Sequence, residues 1–315
     1  MPAMLTHDFF GQDAYGDAMQ VVDLLTSDQR DAFLLGNQGP DPLFYLFLDP
    51  FLPKGCKKLG NVMHHDGPTA ELLALRRAVD GLPSDERGVG KAYAAGFLCH
   101  YLLDSTMHPF VYFWQFGLSD AGVPGLDRTD EGPVHAEIER DFDEMVLWDH
   151  MHQTVNTYRP HERVLRARDE VLGIVGKLYA GFAVPVDCGD EREAVFPMAV
   201  KCFRLTQRAF YDPESAKGAV LSTLEMPIMG NRYSLYRAMA HLPRKSDTSD
   251  FDNRDHLGWK NPFTGAVSTQ SFWDLYGTAL RRVQDALELF FSDGFDEAAA
   301  RQITRGLNFS GEPTD

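Results

Sequence analysis

The chain is predicted to fold as an all-α, multi-helix globular protein, and three features of its sequence point that way. Apolar residues recur at helical spacing along most of the 315 residues, segments with strand-like alternation are short, and capping or turn residues punctuate the periodic stretches. The spacing predicts helices over about 13–25, 28–36, 68–80, 88–107, 133–155, 161–181, 191–210, 215–226, 231–241, 269–292 and 295–306. Ser27-Asp28, Pro68-Thr69, Pro133 and Pro160 stand where N-caps or first-turn prolines belong. The loops Gly36 to Pro42, Gly117 to Gly132 and Arg244 to Thr269 are rich in turn residues. The last is too long for a simple connector and is expected to be an ordered lid or a surface wrap.

No internal repeat or low-complexity tract breaks the pattern, so a single all-helical domain over 1–315 is expected. Its chemistry is placed in 1–150, with a helical extension over 155–315, because eight of the eleven histidines precede residue 155. Hydrophobic residues make up 44% and charged residues 24%, an ordinary globular composition. Forty-six acidic against thirty basic side chains give a formal charge of −16, spread along the chain, and no basic cluster exceeds a pair such as Lys57-Lys58 or Arg281-Arg282. That field disfavours long nucleic acids and electrostatic docking on anionic membranes. No run approaches the roughly 18 uncharged apolar residues of a membrane span. The start MPAMLTHDFF lacks the basic and apolar regions of a leader, so the cytoplasm is the expected location. Cys56, Cys99, Cys188 and Cys202 show no paired ligand spacing, fit a reduced compartment and are expected only to pack.

The chemistry begins with His100, Asp104 and His108, spaced i, i+4, i+8 in a predicted helix and therefore on one slowly drifting stripe. Phe97, Leu98, Leu102, Leu103 and Met107 surround the stripe, where unpaired ionisable groups are costly and a cation would offset the cost. Gly96, one turn earlier, leaves a gap for a ligand or another helix. Pro109 is expected to end the helix, putting His108 at its terminus, able to serve a different metal from His100 and Asp104. Alone, the stripe reads equally as a helical ion pair with a C-terminal histidine favoured by the dipole. A second half-site changes the balance: after Pro133, His135 and Glu139 again share a face at i, i+4, and imidazole with carboxylate is a suitable donor set for zinc. In the loops, Asp41 is held between Pro40 and Pro42, and either His64 or His65 can ligate while the other is exposed. His7, near the terminus, would by default be exposed.

In order, Thr6-His7, Gly39-Pro40-Asp41-Pro42, Met63-His64, His100-x3-Asp104-x3-His108 and His135-x3-Glu139 resemble the bacterial zinc-dependent phospholipase C family, whose helical fold is shared with the S1/P1-type nucleases. The resemblance covers about residues 1–145. It extends more loosely to His256-x2-Trp259-x2-Pro262-x-Thr264-Gly265 and Ser271-Phe272-x2-Leu275-Tyr276. It implies two or three zinc ions: one held by Asp41, His64, His100 and Asp104, a second by His108, His135 and Glu139, and a third by His7 with Asp104 as a bridge. In the family the third metal also uses the amino group and carbonyl of an N-terminal tryptophan exposed when a leader is removed. No tryptophan precedes His7 here, so water or another ligand would have to replace that pair. The choline-type enzymes place a tyrosine directly after the loop aspartate where this chain has Pro42, so headgroup preference does not carry over, although Phe44 and Tyr45 are close.

The expected activity is hydrolysis of a phospholipid or other small phosphodiester by a metal-activated water, with Asp41 as general base. Two rivals are carried forward. A nuclease or small-molecule phosphoesterase would share every metal ligand and differ by a base-stacking pocket, and a non-catalytic metal-binding protein would have incomplete sites. The runs Phe44 to Leu48 with Phe51, and Phe110 to Trp114, are readable as lipid contacts or as core. His150, His152, His161 and His241 are expected at the surface or at helix ends, and His256 is a weaker site candidate.

Overall fold

The computed structural model describes residues 4–49, 52–53, 55–65, 67–121, 127–183, 192–211 and 241–314. The predicted helices over 215–226 and, but for His241, 231–241 lie outside these residues, as do Phe51 and Cys188. Among the described residues the protein is predominantly helical, with one short antiparallel ribbon pairing β1 (Trp259–Lys260) and β2 (Val267–Ser268). Among the described residues no helix is long and apolar enough to cross a membrane. The chain forms two compact units, each built from three separate segments.

The first unit comprises Met1–Phe9, Met107–Val164 and Leu205–Leu275. It holds the start of α1 (Met4–Val21), up to Phe9; the helix begins nine residues ahead of the predicted start. The sequence carries no N-cap there because the cap comes from afar: Asp143 accepts hydrogen bonds from Leu5 N (2.9 Å), Thr6 N (2.7 Å) and Thr6 Oγ1 (2.8 Å). A buried carboxylate at a helix N-terminus satisfies orphan amides and complements the dipole. Asp143 also pairs with His241 Nε2 at 2.9 Å, so His241, partly exposed, ties its segment to α6. Asp143→Ala is expected to destabilise the protein by about 1–3 kcal/mol, since it orphans buried donors; a urea midpoint matching that of the wild type would refute this.

The helix α5 (Arg87–Ser119) runs straight through Pro109, which corrects the expected stop at His108. Proline inside a helix costs about 3 kcal/mol, but Phe110 and Val111 directly after it are buried, and continued helix keeps them so. Phe110 packs on Phe142 (6.3 Å) of α6 (Glu131–Met151) and on Trp259 (5.1 Å), and Phe113 also meets Trp259. The Phe110 to Trp114 run is therefore core. Arg244 to Thr269 is an ordered wrap: Arg244 and Ser249 bond the Asp141 carboxylate, and Trp259 is buried. The predicted 161–181 helix is broken. A short turn α8 (Pro160–Arg163) follows another, α7 (Val155–Tyr158), and the chain passes Leu165 at φ 57 before helix resumes.

The second unit comprises Phe10–Thr106, Leu165–Arg204 and Tyr276–Asp315. In it α2 (Ser27–Gly36) starts on a Thr26 capping box with Gln29. The expected loop is present as a turn over 37–40, and a 3-10 helix (Asp41–Leu48) begins at its end; α3 (Leu59–His65), α4 (Pro68–Gly81), α9 (Asp169–Phe182) and most of α10 (Arg192–Phe210) follow. α4 packs against α9 and against the last helix, while the predicted 269–292 helix is two, α11 (Phe272–Leu280) and α12 (Val283–Phe290), before α13 (Glu297–Thr304). Gly96 admits another helix: a Cβ there would lie 2.0 Å from Phe33 O, and one on Gly36 would lie 2.2 Å from Tyr93 O. Of the 3-10 helix, Tyr45 and Leu46 are core and Phe47 and Leu48 are exposed. Cys99 and Cys202 are free thiols but Cys56 is disulfide-bonded, which corrects the expectation that all four only pack and removes their support for a reducing compartment.

Candidate metal centre

Two groups of metal-capable side chains occur among the described residues, one in each unit. In the second unit Asp41, His64, His100 and Asp104 each offer one donor atom, all within 4.8 Å of one another, and all four residues are buried. α5 supplies His100 and Asp104, one turn apart with Nε2 3.1 Å from Oδ2. The 3-10 helix begins at Asp41, whose Oδ1 lies 3.0 Å from His64 Nε2 and 3.9 Å from His100 Nε2.

The outer contacts orient both rings. His64 Nδ1 donates to Gly60 O (2.7 Å) and His100 Nδ1 to Asn37 O (3.1 Å). A neutral imidazole that donates through Nδ1 carries its lone pair on Nε2, so two nitrogen lone pairs and two carboxylates converge. Such a set repels itself unless the rings take up protons or a cation is shared. One shared cation relieves that repulsion, and Asp41 Oδ2 is buried with no hydrogen-bond partner among the described residues. This group can hold a metal ion.

The turn that aims Asp41 is itself pinned. Gly39 adopts φ +51 against the His100 ring, where a Cβ would lie 2.1 Å from Cδ2. The hydroxyls of Tyr93 and Tyr179 bond each other at 2.9 Å and lie 3.4 and 3.2 Å from Gly39 O, so one of their two protons closes the pair and the other reaches the carbonyl. Burial pushes both phenols well above the ordinary tyrosine range. Phe309, fully buried near the C-terminus, sets its ring 5.1 Å from that of His64 and 5.7 Å from that of His100. Tyr101 ties the same tail to α5 by donating to Leu307 O (2.7 Å), with Thr304 O at 3.0 Å.

In the first unit His108, His135 and Glu139 form the other group. Glu139 Oε1 lies 3.2 Å from His135 Nε2 and 3.4 Å from His108 Nε2. His135 Nδ1 is 2.7 Å from Gln115 Oε1, and a proton there again leaves Nε2 as the ligating atom. Burial lowers the His135 pKa below its ordinary value, favouring the neutral ring a metal needs. Gln115→Leu should weaken metal binding at this group by about 10–100-fold and leave the other group unchanged. Titration calorimetry with unaltered affinity would show that Gln115 merely packs.

Comparison with family models, with curated proteins and with solved structures yields no match. The assignment therefore rests on the chain's own chemistry. His65 is exposed, with Nδ1 donating to Asn61 O, so His64 is the member of that pair brought to the group. His7 is buried on α1, against the default of exposure, and among the described residues neither group includes it. His150 sits in the last turn of α6, its ring 4.8 Å from that of Phe9, and His256 is exposed at φ 51 with Nδ1 against Thr269 O, so neither joins a group. Sequence reasoning missed Asn37, Gly60 and Gln115, the acceptors that orient the rings, and the Tyr93, Tyr179 and Phe309 contacts. The Gly60 contact is local, four residues from His64 within α3, whereas the others join separate segments and carry no local signal.

Proposed function

We propose that the protein is a zinc-dependent phosphodiester hydrolase of the phospholipase C type, with the fold shared by that family and the S1/P1-type nucleases. The observation that carries this reading is the convergence of histidine nitrogens on carboxylate oxygens in two separate groups. Nitrogen and oxygen donors about 2.0–2.1 Å from a tetrahedral zinc stand roughly 3.3 Å apart. The contacts of 3.0, 3.1 and 3.9 Å in one group and 3.2 and 3.4 Å in the other bracket that spacing. The ordered motif set from Thr6-His7 to His135-x3-Glu139 supports the same family.

Zinc in these groups would neutralise phosphodiester oxygens and lower the pKa of a bound water toward neutrality. Local positive charge of that kind lets a chain of net charge −16 bind an anionic substrate. The residues do the rest. His64, His100 and His135 present Nε2 because their Nδ1 atoms are engaged. Asp41 would hold an ion through Oδ1, and its Oδ2, which has no hydrogen-bond partner among the described residues, would be the atom to accept a proton as general base.

The test is elemental analysis of protein purified without a metal-affinity tag, followed by hydrolysis assays on phosphatidylcholine dispersions, a bis-aryl phosphate and an oligonucleotide. Two or three zinc equivalents with lipid and aryl diester cleavage are expected. Cleavage of the oligonucleotide alone would favour the nuclease reading, and zinc without hydrolysis a non-catalytic metal protein.

A further inference from the structure

Gly306 to Thr314 form a loop that closes on itself and carries one ring inward. Its ends meet where Thr314 N donates to Gly306 O (2.9 Å) and Leu307 bridges Pro313. Inside it, Asn308 N donates to Glu312 O (2.9 Å), and Asn308 Oδ1 accepts from Ser310 N (2.9 Å) and Glu312 N (3.0 Å). Glu312, Pro313 and Thr314 are exposed and 308–311 are buried, so the loop has an outer rim and an inner apex. Phe309 stands at that apex. Its ring lies 5.1 Å from that of His64, 5.7 Å from His100, 6.0 Å from Phe97 and 5.1 Å from Tyr101. From α5, the Tyr101 hydroxyl holds the loop by donating to Leu307 O.

The outer torsion of a histidine is broad, so a single bond from Nδ1 leaves the ring able to swing about that contact. Phe309 packs on both imidazoles and removes this freedom, completing the orientation that Gly60 O and Asn37 O begin. With the loop in place the side chains of Asp41, His64, His100 and Asp104 are only 3%, 9%, 0% and 6% exposed. An ion can therefore enter or leave this group only when a neighbouring segment moves, and the general-base role given to Asp41 needs the same movement. Because the bonds just described are internal to the loop, it can lift as a unit, giving up its Tyr101 contact and uncovering both imidazoles without global unfolding.

We propose that the loop over 306–314 is a gate on the Asp41, His64, His100, Asp104 group: shut, it fixes both imidazoles for an ion, and its opening is the path by which that ion exchanges. This rests on the metal-binding part of the function proposed above. The gate is reciprocal, since an ion that needs the shut loop must itself hold the loop shut.

Hydrogen exchange on the full-length wild type, with and without zinc, reads that reciprocity directly. Amides over 307–311 should slow by about tenfold on loading, within the usual range of coupling between sites, and by more than those of α12. In the cobalt(II)-loaded chain, Phe309→Ala should release one equivalent to excess chelator about tenfold faster than the wild type, the scale on which partners of metal ligands act. The other equivalent should leave at its wild-type rate. Phe309→Leu restores an apolar cover and should slow the release again, and Tyr101→Phe, which removes only the hydroxyl, should speed the same equivalent. Wild-type release from either Phe309→Ala or Tyr101→Phe, equal acceleration of both equivalents, or loop amides that exchange alike with and without zinc would overturn the gate and leave the metal reading standing. A wild type that takes up neither zinc nor cobalt would remove both. The exchange measurement needs no variant, so a mutant that fails to fold does not blunt the test.

Discussion

His100→Ala should leave the purified protein with one zinc equivalent fewer than the wild type, whereas His150→Ala should leave the metal content unchanged. His100 is fully buried, its Nδ1 committed to Asn37 O and its Nε2 3.1 Å from Asp104 and 3.9 Å from Asp41. Alanine removes one of four donors and leaves two buried carboxylates with less to offset their charge, a costly arrangement. The loss should appear in stability as well: an ion bound only by the folded state, at a free concentration a thousandfold above Kd, stabilises it by about 4 kcal/mol. The wild type should therefore show a large fall in Tm on chelation, and His100→Ala a clearly smaller one. His150 is the control because its ring packs near Phe9 and its Nδ1 donates to Val146 O. Equal zinc in all three proteins would show that the helix stripe is not a ligand set.

Gly39→Ala is the second large effect, although Gly39 is not itself a ligand. At φ +51 an L-residue costs roughly 1–2 kcal/mol, and its Cβ would stand 2.1 Å from Cδ2 and 2.5 Å from Nε2 of His100. The ring cannot retreat without breaking its bond to Asn37 O, so the backbone turn carrying Asp41 must move. We expect loss of the metal held by Asp41, His64, His100 and Asp104, with the other group still loaded. Gly81→Ala is the contrast: nothing lies within 4 Å of its Cβ position at the end of α4, and replacing a helical glycine should stabilise by about 0.5–1 kcal/mol. A Gly39→Ala protein with full metal content and wild-type Tm would mean that the turn relaxes freely and that its pinning by Tyr93 and Tyr179 is incidental.

These two variants also mark where sequence reasoning worked and where it could not. The His100, Asp104 and His135, Glu139 pairs were legible because i, i+4 spacing on a helix is a local relation fixed by 3.6 residues per turn. The helical class was legible for the same reason. The start of α1 was not, because its cap is Asp143, which lies in α6. Nor was the passage of α5 through Pro109, because the local preference against it is outweighed by burying Phe110 and Val111.

By itself, then, the sequence determined what composition and short-range geometry can determine: a helical protein, a net charge of −16, and side chains of metal-binding type repeated along helix faces. Only the tertiary structure decided that His64 and not His65 joins Asp41, that Asn37 and Gln115 orient the rings of His100 and His135, and that Phe309 packs against one group while the histidines of the other stay partly exposed. The physical reason is separation along the chain. Each of those contacts joins atoms whose positions are set by the packing of whole elements, and no residue near either partner encodes the meeting.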